Sequence, residues 1–191
     1  MDEQLLPDSS AAYSGNGGIK AKDRRVRRTR GALIAAWNHL VLNRRRDIRV
    51  GDVVAVAGVG RSTFYDHYSS AEALHLDALR GPFSLIADAA ARRSDGSKLL
   101  YLLEHFWEYR SSARQSFDGS AERLLASMIE ERLAGEQLSI PGRIVSRQLA
   151  ATVLTPIVAW VSGEAWCTPA ELAGAILCSA RAQLGALRQT P

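Results

Sequence analysis

Five side chains able to donate hydrogen bonds crowd into seven positions: Arg61, Ser62, Thr63, Tyr65 and His67. They follow directly on Gly58-Val59-Gly60 and are interleaved with Phe64 and Tyr68. Such a set suits recognition of phosphate oxygens and base edges, which Arg, Ser, Thr, Tyr and His all contact in protein–DNA interfaces. Covalent chemistry has little support. There is no GxSxG, no HExxH, no GxxxxGK[ST] and no dinucleotide fingerprint. The stretch from Gly58 to Thr63 begins like a phosphate-binding glycine loop, but it lacks a third glycine and a preceding strand. The chain is therefore expected not to be an enzyme and to need no cofactor.

The charge distribution points the same way. Residues 20–80 carry thirteen Lys/Arg against six Asp/Glu, a net +7, while the remainder of the chain is −3. Positive charge gathered in one region implies a polyanionic partner there. Arg24 to Arg30 is placed to reach a DNA backbone or minor groove, with Arg24 and Arg28 as its candidate contacts. Arg44-Arg45-Arg46 has two readings, a solvated loop or a phosphate contact.

These residues need helices to hold them. Hydrophobic residues make up 47% of the 191, enough for a core. No convincing alternating β pattern and no repeat occurs, so the expected fold class is all-α. Residues 1–20, rich in Ser and Gly, read as a flexible arm. A first helix is expected from Lys22 to Asn43, its apolar stripe formed by Leu33, Trp37, Leu40 and Val41. Two short helices follow, Val50–Ala57 and Arg61–His67, around the Gly58-Val59-Gly60 turn. The second must show polar side chains outward while burying Phe64 and Tyr68, four residues apart. Ser69-Ser70 caps a fourth helix with Glu72 in its first turn. Gly81-Pro82 is expected to interrupt that helix and start a new one at Pro82. Further helices are expected at Pro82–Arg93, Ser97–Arg114, Ser120–Ala134, Gly142–Glu164 (kinked by Pro156) and Pro169–Leu187.

Two short helices behind a basic helix form a helix-turn-helix plan over about Val50 to Tyr68. The stretch AGVGRSTFYDHYSSAEAL resembles the TetR family of transcriptional regulators, and the likeness covers about residues 28–76. It implies an all-α homodimer with an N-terminal three-helix DNA-binding region (residues 21–80) and a C-terminal helical region for ligand binding and dimerisation (residues 81–191). Carried over position by position, Arg61, Ser62 and Thr63 would lie in or beside the major groove, and Tyr65 and His67 would touch phosphates. Ala57, Gly58, Val59, Phe64 and Tyr68 would be scaffold. Two departures stand out. Arg49 occupies a helix-cap position often held by Ser or Thr, a loss of about 1 kcal/mol. Ala71 replaces the Lys that commonly touches phosphate at the start of the fourth helix.

The C-terminal half is less specific. Phe106, Trp107, Met128 and Trp160 are candidate ligand-contacting residues, with plain core packing as the competing reading. His105 and Glu108 share a helix face, but two candidate ligands do not make a metal site. Small residues at Gly174, Cys178, Ala182 and Gly185 suit close helix approach: the last two helices either pair with those of a second subunit, as the resemblance implies, or complete the monomer core. The resulting expectation is a cytoplasmic homodimeric repressor that binds palindromic double-stranded DNA and responds to a small apolar effector. A constitutive DNA-binding or protein-interaction module without an effector is the alternative, favoured if the C-terminal half lacks a cavity. No membrane partner is expected: the N-terminus lacks a secretory signal, and Leu149 to Val161 is too short to span a bilayer. Cys167 and Cys178, eleven residues apart, fit ordinary reduced thiols.

Overall fold

The computed structural model describes residues 15–43, 47–110 and 117–188. The expected arm up to residue 14, the Arg44–Arg46 run and the end of the helix expected to reach Arg114 lie outside these residues. Eight helices are present among them: α1 Gly15–Leu42, α2 Val50–Ala57, α3 Arg61–Tyr65, α4 Ala71–Ala90, α5 Ser97–Glu108, α6 Gly119–Arg132, α7 Gly142–Ser162 and α8 Pro169–Leu187. The all-α expectation holds. The only β pairing among the described residues is an isolated bridge between Leu138 and Arg188.

Local signals set most helix ends. Gly58 closes α2 with a left-handed φ of 66°, a conformation that costs a residue with a Cβ roughly 1 kcal/mol. Ser70 Oγ accepts from Ala73 N at 3.1 Å and starts α4. Asp118 Oδ1 caps α6 through the N–H groups of Ser120 and Ala121. Thr168 and Glu171 form a full capping box on α8, with Pro169 in its first turn. At Arg49 the expected penalty is offset: the Asp52 carboxylate accepts the Arg49 backbone N–H at 3.1 Å, the returning half of a capping box.

Three expectations are corrected. The helix expected at Lys22 begins at Gly15, so residues 15–20 are helical rather than arm. Extending a formed helix by further turns costs far less than nucleating one, even through glycines. Gly81-Pro82 does not interrupt α4, which runs unbroken from Ala71 to Ala90. A helix-interior proline costs about 3 kcal/mol. Burial of Leu79, Phe83, Ile86, Ala87 and Ala90 along the continuous helix offsets that cost. The apolar run around Leu149 is also longer than expected. α7 has 21 residues and is long and apolar enough to cross a membrane. Its Val145, Leu149, Val153, Ile157 and Trp160 are nevertheless buried, and it packs against α4, α6 and α8 as a core helix.

Two hydrophobic clusters share α4. The first joins Leu33, Trp37 and Leu40 of α1 with Val53, Val54, Phe64, Tyr68, Leu74 and Ala78. The second begins one residue later, at Leu79, and takes in α5 to α8 around Phe83, Leu103, Leu125, Leu149 and Ile176. α4 thus touches α1 on one side and α5, α6, α7 and α8 on the other. It is the rod through which the small N-terminal unit is joined to the larger one.

Candidate nucleic-acid interface

α3 is only five residues long, so its stability comes from what it buries. Phe64 is its single fully buried side chain, set edge-on to Tyr65 at 5.4 Å and tilted against Tyr68 at 5.9 Å. With that anchor inward, Arg61 and Ser62 are exposed and Thr63 is half-buried. Tyr65 is 58% exposed, a large apolar ring left in water. His67 is half-buried in the turn after α3. Gly51 of α2 leaves room for the Arg61 guanidinium, whose Nη2 would stand 3.3 Å from a Cβ placed there. The arrangement presents a cation, a hydroxyl and a phenol on one short edge backed by aromatic packing. Such an edge can donate to phosphates and to base acceptors in a groove.

Arg24 and Arg28 lie exposed on α1. At 100° per residue they point more than 100° around the helix from Arg30, away from the stripe that packs on α2 and α4. Arg30 behaves differently. Its Nε and Nη2 donate to the Asp77 carboxylate at 2.7 and 2.6 Å, and the Tyr68 hydroxyl donates to the same group at 2.5 Å. Arg80 Nε stands 3.6 Å from Asp77 as well. Hydrogen bonding to Arg30, and then to Tyr68, holds the Asp77 carboxyl below its usual range against the opposing effect of burial. Burial, then the bond to Asp77, pushes the Tyr68 phenol up to about 12. This knot ties α1, the end of the recognition turn and α4 together. Sequence reasoning grouped Arg30 with the DNA-reaching arginines and gave Asp77 no role. The partners are 47 residues apart, and no local pattern joins them.

The candidate effector residues are scattered. Phe106 lines a cleft between α1, α4 and α5. Trp107 stacks on the buried Trp160 at 4.7 Å, with the Arg110 guanidinium over its ring and Trp160 Nε1 donating to Cys167 O. Met128 is buried in the second cluster. Trp107, Met128 and Trp160 do not line that cleft. His105 does, and its ring packs on Tyr109 at 4.7 Å.

No known family's sequence profile matches the chain, and no curated protein sequence does. Solved structures do. A TetR transcriptional regulator from Streptococcus agalactiae is 23% identical, with 85% of this chain and 98% of that one covered at a TM-score of 0.53. The dihydroxyacetone kinase operon activator DhaS is 18% identical, with 84% and 98% covered at 0.50. At these identities the likeness establishes a shared fold.

Proposed function

We propose that this chain is a sequence-specific DNA-binding transcriptional regulator of the TetR kind. In this reading it acts in the cytoplasm as a homodimer on a palindromic duplex and is released by a small effector. The observation that carries the DNA reading is the division of α3 into a buried Phe64 and an exposed edge of Arg61, Ser62 and Tyr65. A helix held rigidly from behind while its polar edge stays free is what groove reading requires. Exposed Arg24 and Arg28 supply phosphate contacts that fix register.

Dimerisation through α7 and α8 has its own support. Gly174, Cys178, Ala182 and Gly185 are all exposed on α8, Ile144 of α7 is half in water, and Trp166 between the two helices is 76% exposed. A second copy laid across these helices would cover them, and a two-fold pair would present two α3 edges to a palindrome. The test is selection of bound duplexes from a random pool at two salt concentrations. Recovery of a palindrome supports the reading. Recovery of no preferred sequence, with binding lost entirely at the higher salt, would leave only phosphate attraction and refute it.

A further inference from the structure

A cavity of about 210 Å³ opens where the two hydrophobic clusters meet. Three helices wall it: α1 through Trp37 and Val41, α4 through Ala78 and Pro82, and α5 through Leu102 and Phe106, with Tyr109 just past its end. Engineered apolar cavities of about 150 Å³ accept benzene. A space of this size therefore takes one substituted ring or two fused rings, short of the drug-sized pockets of about 300–1,000 Å³.

The wall's chemistry narrows the occupant further. No Asp, Glu, Lys or Arg is among the described residues that line it. Its polar groups are those of Asn38, His75, His105 and Tyr109, so an ion entering there would lose hydration without meeting a permanent opposite charge. Acceptors stand in the wall itself: Asn38, His105 and Tyr109 each carry one. A hydroxyl or N–H on the occupant would find its partner among these side chains.

We propose that this cleft seats a small neutral aromatic molecule of one or two rings carrying a single hydroxyl or N–H donor. Its role as effector rests on the ligand-responsive reading of the chain; its binding does not. The occupant would touch helices of both clusters at once, so its uptake and the placement of α3 on DNA are coupled.

Calorimetric titration of the full chain with 2-naphthol tests the seat. Saturation is expected at one molecule per chain below roughly 1 mM. The methyl ether, lacking the donor, should bind about threefold or more weaker. The carboxylate analogue 2-naphthoate should bind about tenfold or more weaker. Val41→Trp and Asn38→Trp, which fill the wall and the exposed rim, should each cost about tenfold or more. Tyr101→Ala, at a 71% exposed position outside the cavity lining, should change nothing. If Val41→Trp does not fold, Asn38→Trp carries the same comparison. Failure of 2-naphthol to saturate, equal binding of 2-naphthoate, or full affinity in a folded wall variant would overturn the proposal. Duplex affinity of the ligand-free protein is measured alongside. A chain that takes up 2-naphthol but binds no duplex refutes the DNA reading and leaves the seat. One that binds duplex and ignores 2-naphthol does the reverse. If both bind, saturating 2-naphthol should weaken duplex affinity about fivefold or more; unchanged affinity would overturn the effector role.

Discussion

Arg30 of α1 and Asp77 of α4 meet through two parallel N–H···O bonds of 2.7 and 2.6 Å, with Asp77 only 9% exposed and Arg30 53%. The geometry is bidentate and the carboxylate is largely out of water, which makes the pair worth more than an ordinary surface ion pair. Arg30 also lies over the Tyr68 ring at 5.9 Å. Replacing Asp77 with Ala strands the Tyr68 hydroxyl and leaves Arg30 without its partner. Urea unfolding should show a loss of about 1–3 kcal/mol. A loss indistinguishable from zero would mean the knot does not hold α1 to α4.

The same three residues give stability a pH window. Asp77 titrates below its ordinary value of 3.8 in the folded chain, so its contribution is present above that pH and fades as pH falls through the lower folded value. Tyr68 titrates near 12 instead of 10.0, so its contribution is intact below pH 10 and is lost as pH rises toward 12. The urea midpoint should fall at both ends. Tyr68→Phe should flatten the alkaline limb between pH 10 and 12. An unchanged alkaline limb in that variant would show that other groups cause the loss.

Duplex binding should separate reading residues from those that hold phosphates. Thr63→Ala should weaken a selected duplex by about 1–3 kcal/mol relative to unrelated ones, whereas Tyr65→Ala, at a phosphate position, should weaken all duplexes, with circular dichroism unchanged in both. Arg24→Ala and Arg28→Ala should weaken binding to all duplexes alike. Each should also flatten the slope of log affinity against log salt by about 0.9 for every phosphate no longer neutralised. Gel-shift affinities unaltered in both Thr63→Ala and Tyr65→Ala would remove α3 from the interface.

Gly96 is buried at the start of α5 with a φ of 93°, and a Cβ there would run into Leu177 Cδ1 of α8. Gly96→Ala should therefore cost about 1–3 kcal/mol, from backbone strain and the displaced leucine together. Gly58→Ala meets strain alone, since no atom stands within 4 Å of its Cβ position. It should cost about 1 kcal/mol. Equal losses in the two variants would argue that Leu177 simply moves aside.

Much of the architecture is written locally. The spacing of Leu33, Trp37 and Leu40, the glycines at 58 and 60, the Ser70 cap and the Thr168-Pro169-Glu171 start act within a turn or two of themselves, and α2 and α8 begin and end where these signals place them. The polar edge of α3 was legible for the same reason: burying Phe64 on so short a helix leaves Arg61, Ser62 and Tyr65 exposed. What reads poorly is whatever depends on distant partners. Pro82 looks like a helix break until Phe83 and Ile86 are seen packed in a core that holds the helix together across it. Arg30 looks like one more DNA-facing arginine until Asp77 arrives from another helix to claim it. The cleft beside Trp37 and Phe106 has no sequence signature, because it is space left between three helices. Turns and caps are decided by bonds within a few residues; proline tolerance, ion-pair choice and voids are decided by which side chains folding brings together across the chain.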